Sequence, residues 1–235
     1  MSAHDQPDQH DHGDRQELPG LWELVATAEP PDETASLIPA SVSATVGHPL
    51  AVGHLHHAHG LVGVIHGLRY SPLPTPADWA YLTCSRGEVQ VVVADVRVGS
   101  PTFGRHRSIR LRAPHDATGT TDRTETTASA ASTATALYVG PGLAHGYTAL
   151  ADDSVLTHLG PRGRRPEKDR TVHPLDPTLR LPWPSTGTAG TETARTAAAP
   201  TLPPETADAP LLADLRKAGR LPTYAAWREL TTRRT

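Results

Sequence analysis

Gly63-Val64-Ile65-His66-Gly67-Leu68-Arg69-Tyr70 is the most informative stretch of this chain. Its β-branched and aromatic residues, interrupted by glycine, read as the end of a β-strand run from Leu61 to Tyr70. His66 and Arg69 stand three residues apart, so on a regular strand they point to opposite faces. Both line one pocket only if Gly67 carries a bulge, which glycine within a strand often marks. The site chemistry hangs on that backbone position.

On either side of this stretch the pattern stays β. Tyr81 to Arg86, Glu88 to Val96, Ile109 to Arg112 and Ala136 to Val139 are short runs rich in Val, Leu, Ile and Tyr. Pro, Gly and Asp punctuate them at the spacing of a sandwich or barrel. Ser85-Arg86-Gly87 reads as a tight turn between two antiparallel strands. Residues 1–20 are polar and charged and read as a disordered tail. Residues 116–135, nearly all Thr, Ala, Ser, Asp and Gly, read as a low-complexity insertion, and 185–209, rich in Thr, Ala and Pro, as a linker. Neither offers side chains that would offset the entropy of ordering them. The expected organisation is a barrel over 21–184 and a helical tail over 210–235, with helices at Leu211–Ala218, closed by Gly219, and Tyr224–Thr231.

Composition excludes several function classes. A net charge of −3 over 235 residues, with 14 His counted neutral, makes no electrostatic case for nucleic acid or a membrane surface as partner. The basic run Arg162 to Arg170 contains Pro166 and two acids and reads as a solvated loop. Cys84 is the only cysteine, set in an apolar strand pattern, so it reads as a buried, inert thiol. With neither a signal peptide nor an 18-residue apolar run, the expected location is the cytoplasm.

The octapeptide 63–70 resembles the Gly-Val-Leu-Arg-Gly-Leu-His-Tyr signature of the dTDP-4-dehydrorhamnose 3,5-epimerase family. Further landmarks follow in order. Gly87-Glu88-Val89, Asp95-Val96-Arg97 and Ser100-Pro101-Thr102-Phe103-Gly104 are similar to the family's Gly-Glu-Val, Asp-x-Arg and Ser-Pro-Thr-Phe-Gly block. Tyr138 to Tyr147 is similar to Tyr-Ile-Pro-x-Gly-Phe-Ala-His-Gly-Phe, and Asp176-Pro177…Trp183-Pro184 to Asp-Pro…Ile-x-Trp-Pro. The resemblance runs from about Gly47 to Trp227. It implies an all-β fold, a cupin jelly-roll (double-stranded β-helix) barrel with short C-terminal helices. It also implies a homodimer that works on a small molecule, possibly a dTDP-linked sugar.

Carried across residue by residue, the family's roles arrive altered. Its chemistry removes a proton beside a ketone and returns it from the opposite face, which needs a base, an acid and donors for the enolate oxygen. The base position holds Arg69, whose guanidinium stays protonated in proteins. The phosphate-binding Arg position holds His66. A family Lys becomes Ala80, and the acid Tyr falls on Thr157 or His158. The Gln-x-Asn of the preceding strand becomes His54-Leu55-His56, implying a substrate-binding role for His54, His56 and Arg69. Glu33 to Ser43 contains nothing like the family's nucleotide-holding Arg-Gly-x-Phe. His145 and Asp176, matching the barrel His and the Asp that orients the base, are kept. The catalytic candidates are therefore His66, Arg69, His145, His158 and Asp176. If Gly67 bulges, His66 inherits the base role; if not, His145 or His158 moves the proton.

No metal or other cofactor is expected. His54-x-His56 looks like the His-x-His of metal cupins, but the positions matching cupin ligands are Arg69, Ser71 and Ala80. His57 and His59 alternate with the His54/His56 pair and should face away. The resemblance implies an epimerase-like isomerase acting by proton transfer on a nucleotide-linked 4-keto-6-deoxysugar, or a related keto intermediate, in bacterial secondary metabolism. The replaced residues keep two alternatives open. One is a cupin re-purposed to cyclise or isomerise a non-sugar intermediate; the other is a non-catalytic binding or auxiliary protein.

Overall fold

The computed structural model describes residues 18–24, 38, 40–72, 78–113, 132–134, 136–161, 170–184 and 199–232. One sheet contains β1 (Leu21–Leu24), β2 (His54–His59), β4 (Ala80–Arg86), β8 (Ala136–Val139) and β10 (Val155–Gly160), in the order β1-β8-β4-β10-β2. The other contains β3 (Ile65–Tyr70), β5 (Glu88–Asp95), β6 (His106–Arg112), β7 (Ser132–Ala134), β9 (Leu143–Ala149) and β11 (Arg170–Thr171), in the order β11-β3-β9-β5-β6-β7. Consecutive strands mostly alternate between sheets, as a jelly roll requires. The main core lies between the sheets, where Leu82, Cys84, Leu137 and Leu156 meet Val89, Val91, Val93 and Leu143.

Alternation between sheets corrects the expected hairpin at Ser85-Arg86-Gly87. β4 and β5 do not pair; the chain crosses from one sheet to the other there. Gly87 makes the crossing at φ +69, and a Cβ on it would sit 2.5 Å from Ser154 Oγ. That hydroxyl accepts from the Glu88 amide at 3.1 Å and fixes the corner.

Three stretches read as unstructured contribute ordered residues. Of the expected tail, Leu18 is buried in the core and the Gly20 carbonyl accepts from the Gly140 amide. Of the insertion, Ser132–Ala134 runs parallel to β6. Of the linker, Thr201 donates to the Gly63 carbonyl and accepts from the Ile65 amide, and Pro204–Ala207 forms helix α2 (α1 is Ala40–Val46), with Thr206 buried. Order at these points comes from backbone pairing with distant strands, which composition does not reveal. Residues 1–17, 116–131, 135, 162–169 and 185–198 lie outside the described residues.

Helices α3 (Leu212–Lys217) and α4 (Tyr224–Thr232) follow, close to the expected bounds, with Gly219 at φ +63 ending α3. Leu212, Leu215 and Leu221 cover the outer face of the second sheet against Leu68, Tyr70, Val96 and Ala144. The Asp-x-Arg…Ser-Pro-Thr block explains itself here. Both Asp95 oxygens accept from Arg97, at 2.9 and 2.7 Å, and Oδ2 also accepts from Ser100 and Thr102 at 2.6 and 2.7 Å. Burial opposes the carboxylate, but these bonds prevail and hold its pKa below the usual range. The guanidinium of Arg97 in turn lies 4.6 Å from the Trp227 ring centre and 5.5 Å from that of Tyr224, tying α4 to the barrel.

Candidate active site

Strand register decides which side chains enter the barrel. Ala58 and Leu156 are opposite each other on β2 and β10 and both pack into the core. Alternation therefore brings His56 and its partner His158, and His54 opposite Gly160, to the same inner face. Thr157 faces outward, where its hydroxyl shares a 3.0 Å hydrogen bond with Nδ1 of His57. The choice between Thr157 and His158 thus falls on His158, and His57 faces away as expected. On β9, His145 and Tyr147 stand opposite Val93 and Val91 of the core, so both point inward.

The bulge condition at Gly67 is met. β3 pairs with β9 through His66 with Tyr147 and Arg69 with His145, and the register shifts between those pairs. Gly67 sits at φ +92, and a Cβ there would lie 2.7 Å from the His145 carbonyl oxygen. Gly146 is matched to it, since a Cβ there would lie 2.6 Å from the His66 carbonyl oxygen. Only two facing glycines let the strands approach this closely. As a result His66 and Arg69 share the inner face, and His66 stacks on Tyr147 with ring centres 4.9 Å apart.

The pocket is thus lined by His54, His56, His66, His145 and His158, with Arg69 and Tyr147. The His54, His158 and His145 rings form a row, with centres 5.3 and 5.9 Å apart. Burial, reinforced by the Arg69 cation, pushes the His145 pKa down to about 4. Burial pushes His158 down to about 3, helped by His145, His54, His56 and Arg69. Both rings are neutral near pH 7, so each offers one acceptor and one donor nitrogen beside a permanent cation. Nδ1 of His54 and Nδ1 of His145 are buried without a hydrogen-bond partner.

Asp176 is bonded to its own loop and to α3. Its Oδ1 accepts from the Thr178 amide and hydroxyl, and its Oδ2 from the Leu212 amide at 2.6 Å. Burial opposes its charge, but the bonds from Thr178, Leu212 and Leu179 prevail and lower its pKa. These bonds make Asp176 an anchor for the first turn of α3, satisfying an otherwise orphaned amide. The positions matching cupin metal ligands are equally occupied. Arg69 is a cation, Ser71 donates to Asp78 at 2.6 Å, and Ala80 is buried. Among the described residues no three His, Cys, Asp or Glu side chains are placed to hold one metal ion.

Two site residues escape the sequence reading. Tyr147 is two residues from His145 on a strand, so alternation alone would have found it. Glu205 has an oxygen 3.9 Å from the Arg69 guanidinium, and it lies in the stretch read as a linker. No local signal marks it.

The family model described as dTDP-4-dehydrorhamnose 3,5-epimerase matches residues 40–118 and 117–203. A dTDP-4-dehydrorhamnose 3-epimerase of Streptomyces niveus is 36% identical over 186 residues, covering 79% of this chain and 75% of that protein. The solved Mycobacterium tuberculosis rmlC epimerase superposes with a TM-score of 0.75 at 31% identity, covering 93% of this chain and 97% of its own. The structure of ChmJ, a 3'-monoepimerase from Streptomyces bikiniensis in complex with dTDP-quinovose, gives 0.72 at 29% identity, with 92% and 95% covered. Agreement of this extent, in sequence and in fold, means that the chain belongs to the dTDP-4-dehydrorhamnose 3,5-epimerase family of cupin isomerases.

Proposed function

We propose that this protein is an epimerase acting by proton transfer on a nucleotide-linked 4-keto-6-deoxysugar, as its relatives do, with imidazoles in place of the family's acid and base. One observation carries the reading: His145 and His158, both neutral, share the barrel interior with Arg69. Removing a proton beside a ketone builds negative charge on the carbonyl oxygen. A guanidinium and a neutral imidazole N–H are suitable donors for that charge. The free nitrogen of a neighbouring ring accepts the proton. His66, brought inward by the Gly67 bulge, is a second acceptor on the opposite strand. An imidazole whose pKa lies near 4 is a weak base at neutral pH, so the reaction is expected to run slower than in family members with an unperturbed acid–base pair.

Incubation with dTDP-4-keto-6-deoxyglucose in D₂O tests this directly, because each deprotonation leaves deuterium at C3 or C5. Slow, enzyme-dependent incorporation at either carbon is expected. Complete absence of exchange in folded protein would contradict the reading and favour a different keto substrate or a binding role.

The working form is proposed to be a cytoplasmic homodimer. β2 is the outermost strand of its sheet, and Leu55 on it is exposed, with Val52, Leu61 and Val62 exposed nearby. An apolar edge of this kind favours pairing with a second copy. Light scattering at micromolar concentration is expected to give twice the chain mass; a monomer mass would refute the dimer. Among the described residues no helix is long and apolar enough to cross a membrane.

A further inference from the structure

Gly160 ends β10 opposite His54, the first residue of β2. Its φ is not positive, so the backbone alone does not call for glycine there. The neighbouring side chain does. A Cβ on Gly160 would lie 2.8 Å from Cε1 and 3.3 Å from Nδ1 of His54, while the nearest backbone atom, the Trp79 carbonyl oxygen, would stand at an ordinary 3.4 Å. The absent methyl is the slot in which the His54 ring lies. From that slot the ring meets His158, with centres 5.3 Å apart, and His158 has His145 on its other side at 5.9 Å. Both spacings fall within the range of ring–ring contacts.

We infer that His54 is a positioning residue for His158: seated on Gly160, it closes one end of the ring row and fixes the imidazole between itself and His145. This rests on the reading that His158 takes part in proton transfer inside the barrel, and it replaces the substrate contact that the resemblance implies for His54. Proton transfer tolerates little misplacement, since a shift of about 1 Å in a reacting group can cost roughly 10²-fold in rate. The overlap that a methyl at 160 would create is of that size, because carbon atoms in contact stand about 3.5–4.0 Å apart. The His54 ring is the far end of a rotatable side chain, so turning it relieves the overlap, and the turn reaches His158.

Deuterium incorporation into dTDP-4-keto-6-deoxyglucose is compared among wild type, Gly160→Ala, His54→Ala and the double variant. Gly160→Ala is expected to unfold near the wild-type urea midpoint, yet to lose about tenfold in kcat with KM within about twofold. His54→Ala is expected to be slowed by a similar factor, and adding Gly160→Ala to it to change nothing further. A wild-type rate for Gly160→Ala, an equal loss from it without His54, or losses carried by KM in both single variants overturns the inference. If wild type exchanges no deuterium, the epimerase reading fails, and NMR titration of His158 in the ligand-free protein decides the positioning alone. His54 is one of the neighbours that hold the His158 pKa down, so His54→Ala is expected to raise it. Gly160→Ala is expected to move the His158 ring resonances only while His54 is present. Unchanged His158 signals in either single variant reject the inference.

Discussion

Two polar clusters in this molecule are built on opposite terms. Around Asp95 the carboxylate accepts from Arg97, Ser100 and Thr102, all within one stretch of eight residues, and Arg97 continues into the rings of α4. Around His145 and His158 the side chains come from four strands of both sheets, and two ring nitrogens are left unpaired. Each leaves unpaired nitrogens, Nη1 of Arg97 in the first and two Nδ1 atoms in the second, but the first is held by charge-assisted bonds to a carboxylate and the second rests on ring contacts. The Asp95 cluster shapes the barrel, and the imidazoles around His145 are what the barrel presents.

Substitution should expose that asymmetry. Asp95→Ala leaves the buried Arg97 charge without its partner, and is expected to lower unfolding free energy by about 3–5 kcal/mol in urea titrations. A loss below ~1 kcal/mol would show that the cluster does not hold the fold. His145→Leu removes a ring whose Nδ1 already lacks a partner. Its expected stability change is within about 1.5 kcal/mol in either direction. A loss as large as that of Asp95→Ala would erase the distinction between the clusters.

Acid sharpens the comparison further. The folded-state pKa values of His145 and His158, about 4 and about 3, lie below the ~6.5 of an unfolded-chain imidazole. Between these limits the unfolded chain binds more protons. The contribution of these two groups is therefore complete above about pH 6.5 and falls as pH drops, by up to ~1.4 kcal/mol per pH unit for each ring. Asp95 and Asp176, with depressed carboxyl pKa values, give way only at lower pH. Urea titrations at pH 7.5 and 5 should show the loss, and His145→Leu should reduce its slope. Equal stability at the two pH values would mean that the rings are not buried as neutral species.

Much of the fold was legible because its signals are local. Glycines at turns, alternating apolar runs and ordered landmarks placed β3 to β6, β8 and the two C-terminal helices within a few residues. The strand pairing was less legible: the β4–β5 corner looks like a hairpin turn until the sheets are known. The candidate site divides along the same line. His54, His56 and His145 follow from strand alternation, but choosing His158 over Thr157 needed the one-residue register of β10 against β2. His66 depended on a backbone shift at Gly67 that a sequence only makes possible. The bond from the Leu212 amide to Asp176 was not legible, because 36 residues separate the two in sequence. Glu205 was hidden in a stretch whose order comes from pairing with β3, not from its own side chains.

The claim that imidazoles have taken over proton transfer is tested most directly by deuterium incorporation into dTDP-4-keto-6-deoxyglucose, compared between wild type and the folded variants His158→Phe and His145→Leu. Losing one positioned proton-transfer group is expected to slow incorporation by roughly 10²-fold or more in at least one variant, with dTDP binding little changed. Incorporation at the wild-type rate in both variants would contradict the account.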